Sequence, residues 1–235
     1  MHKLISLEIR RNHLRPYHIA VLICSFTLLA FHYFMAAIPL IDPTETDIEM
    51  FSSYHFLFHL NHLLSMSAFG ILGAVMGTRF VIEEYSGTRA ILSFSYPIRR
   101  KKMMGAKLWL IFCYPVVAML LGGIVIDSIF SFTERFFPFC TDSLTWKTAG
   151  WAFLSLLCHS LLAGTVTLIS TWIGFLKQSI PVTIVSAILT VTILCQILSL
   201  TFSFRPVLFI LLGIAVLLTV MAVKSFFHLV ENMEV

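Results

Sequence analysis

Three histidines, His55, His59 and His62, are spaced by four and three residues, the interval that stacks side chains on one helical face. Imidazole ligates transition metals and haem iron, so such a face suits metal or haem transport. The plainer and preferred reading is a polar contact between helices with no resident metal. Glu83 and Glu84 form an adjacent carboxylate pair, followed by the basic cluster Arg99 to Lys102. Opposite charges on one short segment favour pairing across a protein interface. Other chemistry is missing from the sequence. There is no GxxxxGK[ST] loop to cradle a nucleotide, no CxxC, and no Cys/His spacing of the zinc type. Cys24, Cys113, Cys158 and Cys195 lie in apolar runs, where cysteine acts as a small hydrophobe, and Cys140 lies in a loop.

The elements that must carry these residues are membrane spans. Of 235 residues, 58% are hydrophobic and 12% charged, whereas soluble domains carry about 25% charged residues. Water alone could not solvate the remaining apolar surface. Six apolar stretches, about Tyr17–Ile41, Phe56–Ile82, Met104–Ile126, Ala149–Leu176, Ile180–Phe204 and Pro206–Phe227, are each long enough to cross a hydrocarbon core of roughly 30 Å as a helix. The expected fold is all-α, a polytopic membrane protein of six transmembrane helices. An amphipathic interfacial helix over residues 1–15 precedes the six-span domain of residues 16–235, with Leu4, Ile5, Leu7, Ile9 and Leu14 set among basic residues. Its amphipathicity, and the length of the apolar run after it, are unlike a cleavable signal peptide. Pro115 falls inside the third span, and Pro181 and Pro206 fall at helix starts. The Phe-rich stretch from Asp127 to Thr148 is expected to be an outer segment marking the interface, and Gly70, Gly73 and Gly77 a stripe for close helix packing.

Basic residues set the expected orientation. With the N-terminus in the cytoplasm, thirteen of the sixteen Lys and Arg fall on cytoplasmic segments, leaving Arg135, Lys147 and Arg205 outside. The first outer loop is acidic, with Asp42, Glu45, Asp47 and Glu49. The expectation is a multi-pass protein of the plasma membrane with both termini cytoplasmic. Nucleic acid is not an expected partner, because no basic stripe interleaves with exposed aromatics. Mid-span positions hold no Asp, Glu, Lys or Arg, which disfavours an ion-coupled transporter, and no filter-like loop suggests a channel. Uphill movement would therefore draw its energy from another chain.

Between the second and third spans runs EEYSGTRAILSFSYPIRRKKMMGAK, Glu83 to Lys107. It comprises an acidic pair, a Gly87-Thr88 break able to cap a helix, a short mixed helix, Pro97 and the basic cluster. By itself this describes an amphipathic cytoplasmic loop, one that anionic lipid could hold. The order of its elements resembles the ABC type 2 permeases, the membrane subunits of ATP-binding-cassette exporters. The matching positions are Glu83, Glu84, Gly87, Thr88, Leu92, Pro97, Arg99 and Lys107. The resemblance implies a coupling segment over 83–103, in which Glu83, Glu84, Gly87, Thr88, Leu92, Pro97, Arg99 and Arg100 meet an ATPase subunit. It also implies a second permease subunit, identical or paralogous, and membrane lipid as surroundings. ATP and magnesium would sit on the partner, with no cofactor in this chain and no catalysis by it. The cargo would be a hydrophobic, peptide or lipid-like molecule leaving the cytoplasm. The hairpin between the fifth and sixth spans is very short, whereas some members of that family carry extra outer re-entrant helices.

An intramembrane protease is the lesser alternative. Glu83-Glu84 with Arg89, and Phe58 with His62, resemble the EExxxR and FxxxH elements of membrane CAAX-type proteases. Here four residues separate Glu84 from Arg89, which turns the arginine about 100° around a helix, and the FxxxH element precedes the acidic pair.

Overall fold

The computed structural model describes residues 8, 11, 14–41, 51–85, 100–202 and 204–231. It contains six helices long and apolar enough to cross a membrane. They are α1 (Arg15–Ile41), α2 (Tyr54–Gly77), α3 (Arg100–Thr133), α4 (Trp146–Lys177), α5 (Ile180–Leu198) and α6 (Pro206–Glu231). No strand occurs among the described residues. The chain is an all-α, multi-pass membrane protein. Of the expected interfacial helix only Glu8, Arg11, Leu14 and Arg15 are described, and the acidic loop Asp42 to Glu49 lies outside the described residues.

Burial separates the helices into a centre and a surround. In their most apolar windows α2 and α4 are 67% and 61% buried, against 17–39% for the other four. Small residues explain the central pairing. A Cβ built on Gly73 would overlap the Thr167 hydroxyl, and one on Gly77 would overlap that of Thr171, so the stripe on α2 lets α4 approach closely. The α4 hydroxyls facing this contact are satisfied within their own helix. Thr167 donates to Ala163 O at 2.9 Å, and Thr171 donates to Thr167 O at 2.6 Å. Polar side chains therefore enter an apolar core without losing hydrogen bonds. The surrounding helices expose large apolar side chains, such as Leu22 and Phe26 on α1 and Leu217 and Met221 on α6, as lipid-facing surfaces do.

Three details depart from the sequence boundaries. First, α3 does not stop at Ile126 but runs to Thr133, so Asp127, Phe130 and Phe132 belong to a helix and not to a loop. Phe130 is fully buried, its ring centroid 4.3 Å from that of His32 and set edge-on or tilted against Tyr33, Tyr54 and Phe58, while Phe132, Phe136 and Phe137 are exposed. The Phe-rich stretch thus divides into one core anchor and several interface residues. Second, α2 ends in a π-helical turn, Thr78–Ile82, before a last turn at Glu83–Tyr85. The wider turn re-phases the residues after it, which matters for Glu84 below. Third, α4 begins at Trp146, capped by Thr145, whose side chain accepts the Thr148 amide at 3.3 Å.

Pro115 sits inside α3, and Pro181 and Pro206 open α5 and α6. Gln178, with φ 46°, makes the left-handed turn between α4 and α5. In the loop between α3 and α4, Glu134 Oε1 accepts the amides of Phe139 at 2.7 Å and Cys140 at 2.5 Å. Burial, reinforced by that carboxylate, pushes the Cys140 thiol up to about 12.

Candidate functional site

Two polar constructions break the apolar interior, one toward each end of the bundle. The first clasps the feet of α2 and α3. Lys107, in the second turn of α3, is fully buried. Its ammonium pairs with the Glu84 carboxylate, donates to Phe80 O at 3.1 Å, lies 3.9 Å from Glu8 and sits 5.2 Å from the Tyr85 ring centroid. Arg11 pairs with the other oxygen of Glu84 and stands 4.0 Å from Glu8. The π turn carries Glu84 inward to reach this lysine. Two cations and two carboxylates compensate one another, which is the condition for burying charge at all.

This clasp clarifies the residues of the segment between the second and third spans. Glu84 and Lys107 stand at its two ends and are joined, so the segment leaves and re-enters the bundle at one point. Glu84 is buried and engaged within the chain, which makes it a positioning residue and not a free contact. Glu83 opens the last helical turn of the second span. Gly87, Thr88, Leu92, Pro97 and Arg99 lie outside the described residues, and of Arg100 only its place at the start of α3 is described.

The second construction lies toward the other end and gathers residues from α2, α3, α4 and the turn after α5. Its centre is Ser155, which the sequence did not single out. The Ser155 hydroxyl is 3.3 Å from His59 Nδ1, 3.2 Å from His62 Nδ1 and 3.4 Å from His159 Nδ1. His62 Nε2 meets Asp127 Oδ2 at 3.0 Å, and His59 Nε2 meets Thr201 Oγ1 at 2.5 Å. A hydrogen-bonded chain therefore runs Thr201–His59–Ser155–His62–Asp127.

Donor counting constrains its protons. Thr201 donates to Leu198 O at 2.5 Å, so His59 Nε2 donates to Thr201. A neutral His59 then accepts at Nδ1, and the single Ser155 proton is shared between His59 Nδ1 and His62 Nδ1. A proton on His62 Nε2 is donated to the Asp127 carboxylate. The sequence missed this site because Asp127 was placed in a loop, and because Ser155 and His159 are one helical turn apart on a different span.

The arrangement Ser155–His62–Asp127 has the order of a hydrolase relay but not its other parts. Ser155 lies inside a continuous helix, so its amide is committed to the helix ladder and offers no oxyanion donor. Its hydroxyl is shared by three imidazoles. Among the described residues no group of three or more His, Cys, Asp or Glu forms a metal-binding set. Of His55, His59 and His62, the last two face Ser155, while His55 and His59 both border a cleft, their ring centroids 6.3 Å apart. The protease alternative fails on distance, since Glu84 and His62 are 22 residues apart on one span, about 33 Å along a helix axis. Beside the chain run buried polar groups without a hydrogen-bond partner: both His32 nitrogens, the Asn61 amide, Ser65 Oγ and His159 Nε2.

No family model matches the chain, and no solved structure matches it. It is similar to the uncharacterized protein YcbO of Bacillus subtilis (strain 168), with 26% identity over 212 residues, 90% of this chain and 91% of that protein. Fold and site together describe a six-span membrane protein with a charged clasp at one end of the bundle and a histidine–serine–aspartate network toward the other.

Proposed function

We propose that this chain is the permease subunit of an ATP-driven exporter of the ATP-binding-cassette kind. It would sit in the plasma membrane with both termini in the cytoplasm. A separate ATPase subunit supplies ATP and magnesium, and a second permease subunit completes the pathway for a hydrophobic, peptide or lipid-like cargo. The chain itself is then no enzyme.

The observation that carries this reading is the clasp of Glu84 with Lys107. The segment resembling a coupling helix springs from two spans that are locked together at its root. A push on the segment is then delivered to α2 and α3 as one unit. An unclasped loop would absorb the displacement.

The test is ATP hydrolysis. Purified chain in detergent should hydrolyse no ATP, and adding the cassette ATPase should restore hydrolysis that responds to the chain. Replacing Gly87 and Thr88 by proline should abolish transport with insertion unchanged, because proline fixes the backbone at a break that glycine leaves free and removes the Thr88 side chain able to cap the helix. Hydrolysis by the chain alone, or unimpaired transport by the double variant, would overturn the proposal.

A further inference from the structure

At the end of the bundle opposite the clasp, Arg205 in the turn before α6 lays its guanidinium over Trp151 of α4, 5.1 Å from the ring centroid. Two hollows meet at this pair. The larger, of about 420 Å³, is bordered by His55, Asp142, Lys147 and Arg205. The smaller leads inward past Leu154, Leu208 and Phe209 to Thr201 and His59. Both share His55, Thr148, Trp151 and Arg205, so they form one cleft with a charged mouth and an apolar wall. The mouth carries two fixed cations, Arg205 and Lys147, and one carboxylate, Asp142. Neither cation is ion-paired among the described residues.

We propose that this cleft binds a phospholipid with a singly anionic head, its phosphate between Arg205 and Lys147 and an acyl chain along Leu154, Leu208 and Phe209. The surplus of one positive charge matches one phosphodiester. A guanidinium presents a planar fork to phosphate oxygens, and stacking on Trp151 holds that fork in place. The cleft lies where α4 and α6 begin, the level at which headgroups meet the ends of spans. Leu154 and Phe209 are 36% and 44% exposed, so the apolar wall continues onto the lipid-facing surface. A bare anion would use only the mouth; a zwitterionic head brings the same phosphate but adds a cation to a mouth already carrying a surplus of positive charge.

Binding is read on the full chain without any ATPase, so it stands or falls apart from the exporter reading. Purified protein is offered phosphatidylglycerol, phosphatidylcholine or inorganic phosphate, and retained ligand is counted by native mass spectrometry. Phosphatidylglycerol should be retained at least about tenfold better than phosphatidylcholine, and high salt should weaken it. The double variant Arg205→Gln, Lys147→Gln should bring phosphatidylglycerol down to the phosphatidylcholine level without changing the melting temperature. Arg205→Lys, which keeps the charge and loses the fork, should fall between, and Asp142→Asn should tighten binding. The proposal is overturned if the double variant retains phosphatidylglycerol like the parent, if both lipids bind alike, or if inorganic phosphate displaces the lipid at equal concentration.

Discussion

Lys107 shows what a single residue does in this molecule. An ammonium with no exposed surface is tolerable only because Glu84, Glu8 and the Phe80 carbonyl surround it. Removing one partner from such a set leaves a buried charge unanswered, at a cost of about 3–5 kcal/mol, whereas removing both can be close to neutral. Lys107→Met should therefore lower stability in detergent strongly, and Glu84→Gln in the same chain should recover at least half of the loss. Thermal unfolding of the two singles and the double gives the coupling directly. Strictly additive losses would mean that the two groups do not depend on each other. The same residue was legible in the sequence only as the lysine that opens a span. Its burial, and its partner 23 positions upstream, depend on the π turn that rotates Glu84 inward.

At the scale of elements, the decisive contact is α2 against α4. The stripe Gly70, Gly73 and Gly77 was readable as a packing face from its spacing, and its partners proved to be Val166, Thr167 and Thr171. Those partners were not readable, because a stripe of small residues says that a helix comes close and not which helix comes. Gly73→Ala should destabilise by about 1–3 kcal/mol, since the new methyl group meets the Thr167 hydroxyl in a core with no spare room. Thr167→Ala should relieve most of that loss. If Gly73→Ala unfolds at the parent temperature, the two helices are not held at the distance described here. Helix ends were the least legible feature. The sequence ended the third span at Ile126 because Asp127 follows, yet one carboxylate does not end a helix when an imidazole on a neighbouring helix faces it.

For the molecule as a whole, six spans place both termini on one side of the membrane. In the proposed orientation that side is the cytoplasm. Cysteine-scanning accessibility should find Lys102 and Lys177 positions reactive from the cytoplasmic side and Lys147 from the other. Labelling of position 147 and position 177 from the same side would break the six-span order. The cleft at Arg205 and the clasp at Lys107 lie at opposite ends of the bundle, so the two constructions face opposite sides of the membrane.

Composition and hydropathy by themselves determined that lipid is the solvent, that six helices cross it, and where the short turns fall. These follow from local physics: an apolar run must satisfy its own backbone in hydrocarbon, and a helix is the way a single segment does so. Only the tertiary structure decided which polar groups meet. His59, His62, His159, Ser155, Asp127 and Thr201 come from four separate segments. Spacing along one helix reports a shared face, but the partners of that face are chosen by packing between helices, which no local pattern encodes. His55 and His59, one turn apart, both border the cleft near Arg205, yet of the two it is His59 that meets Ser155 and Thr201. The difference is what stands opposite each ring, and that is a property of the folded bundle.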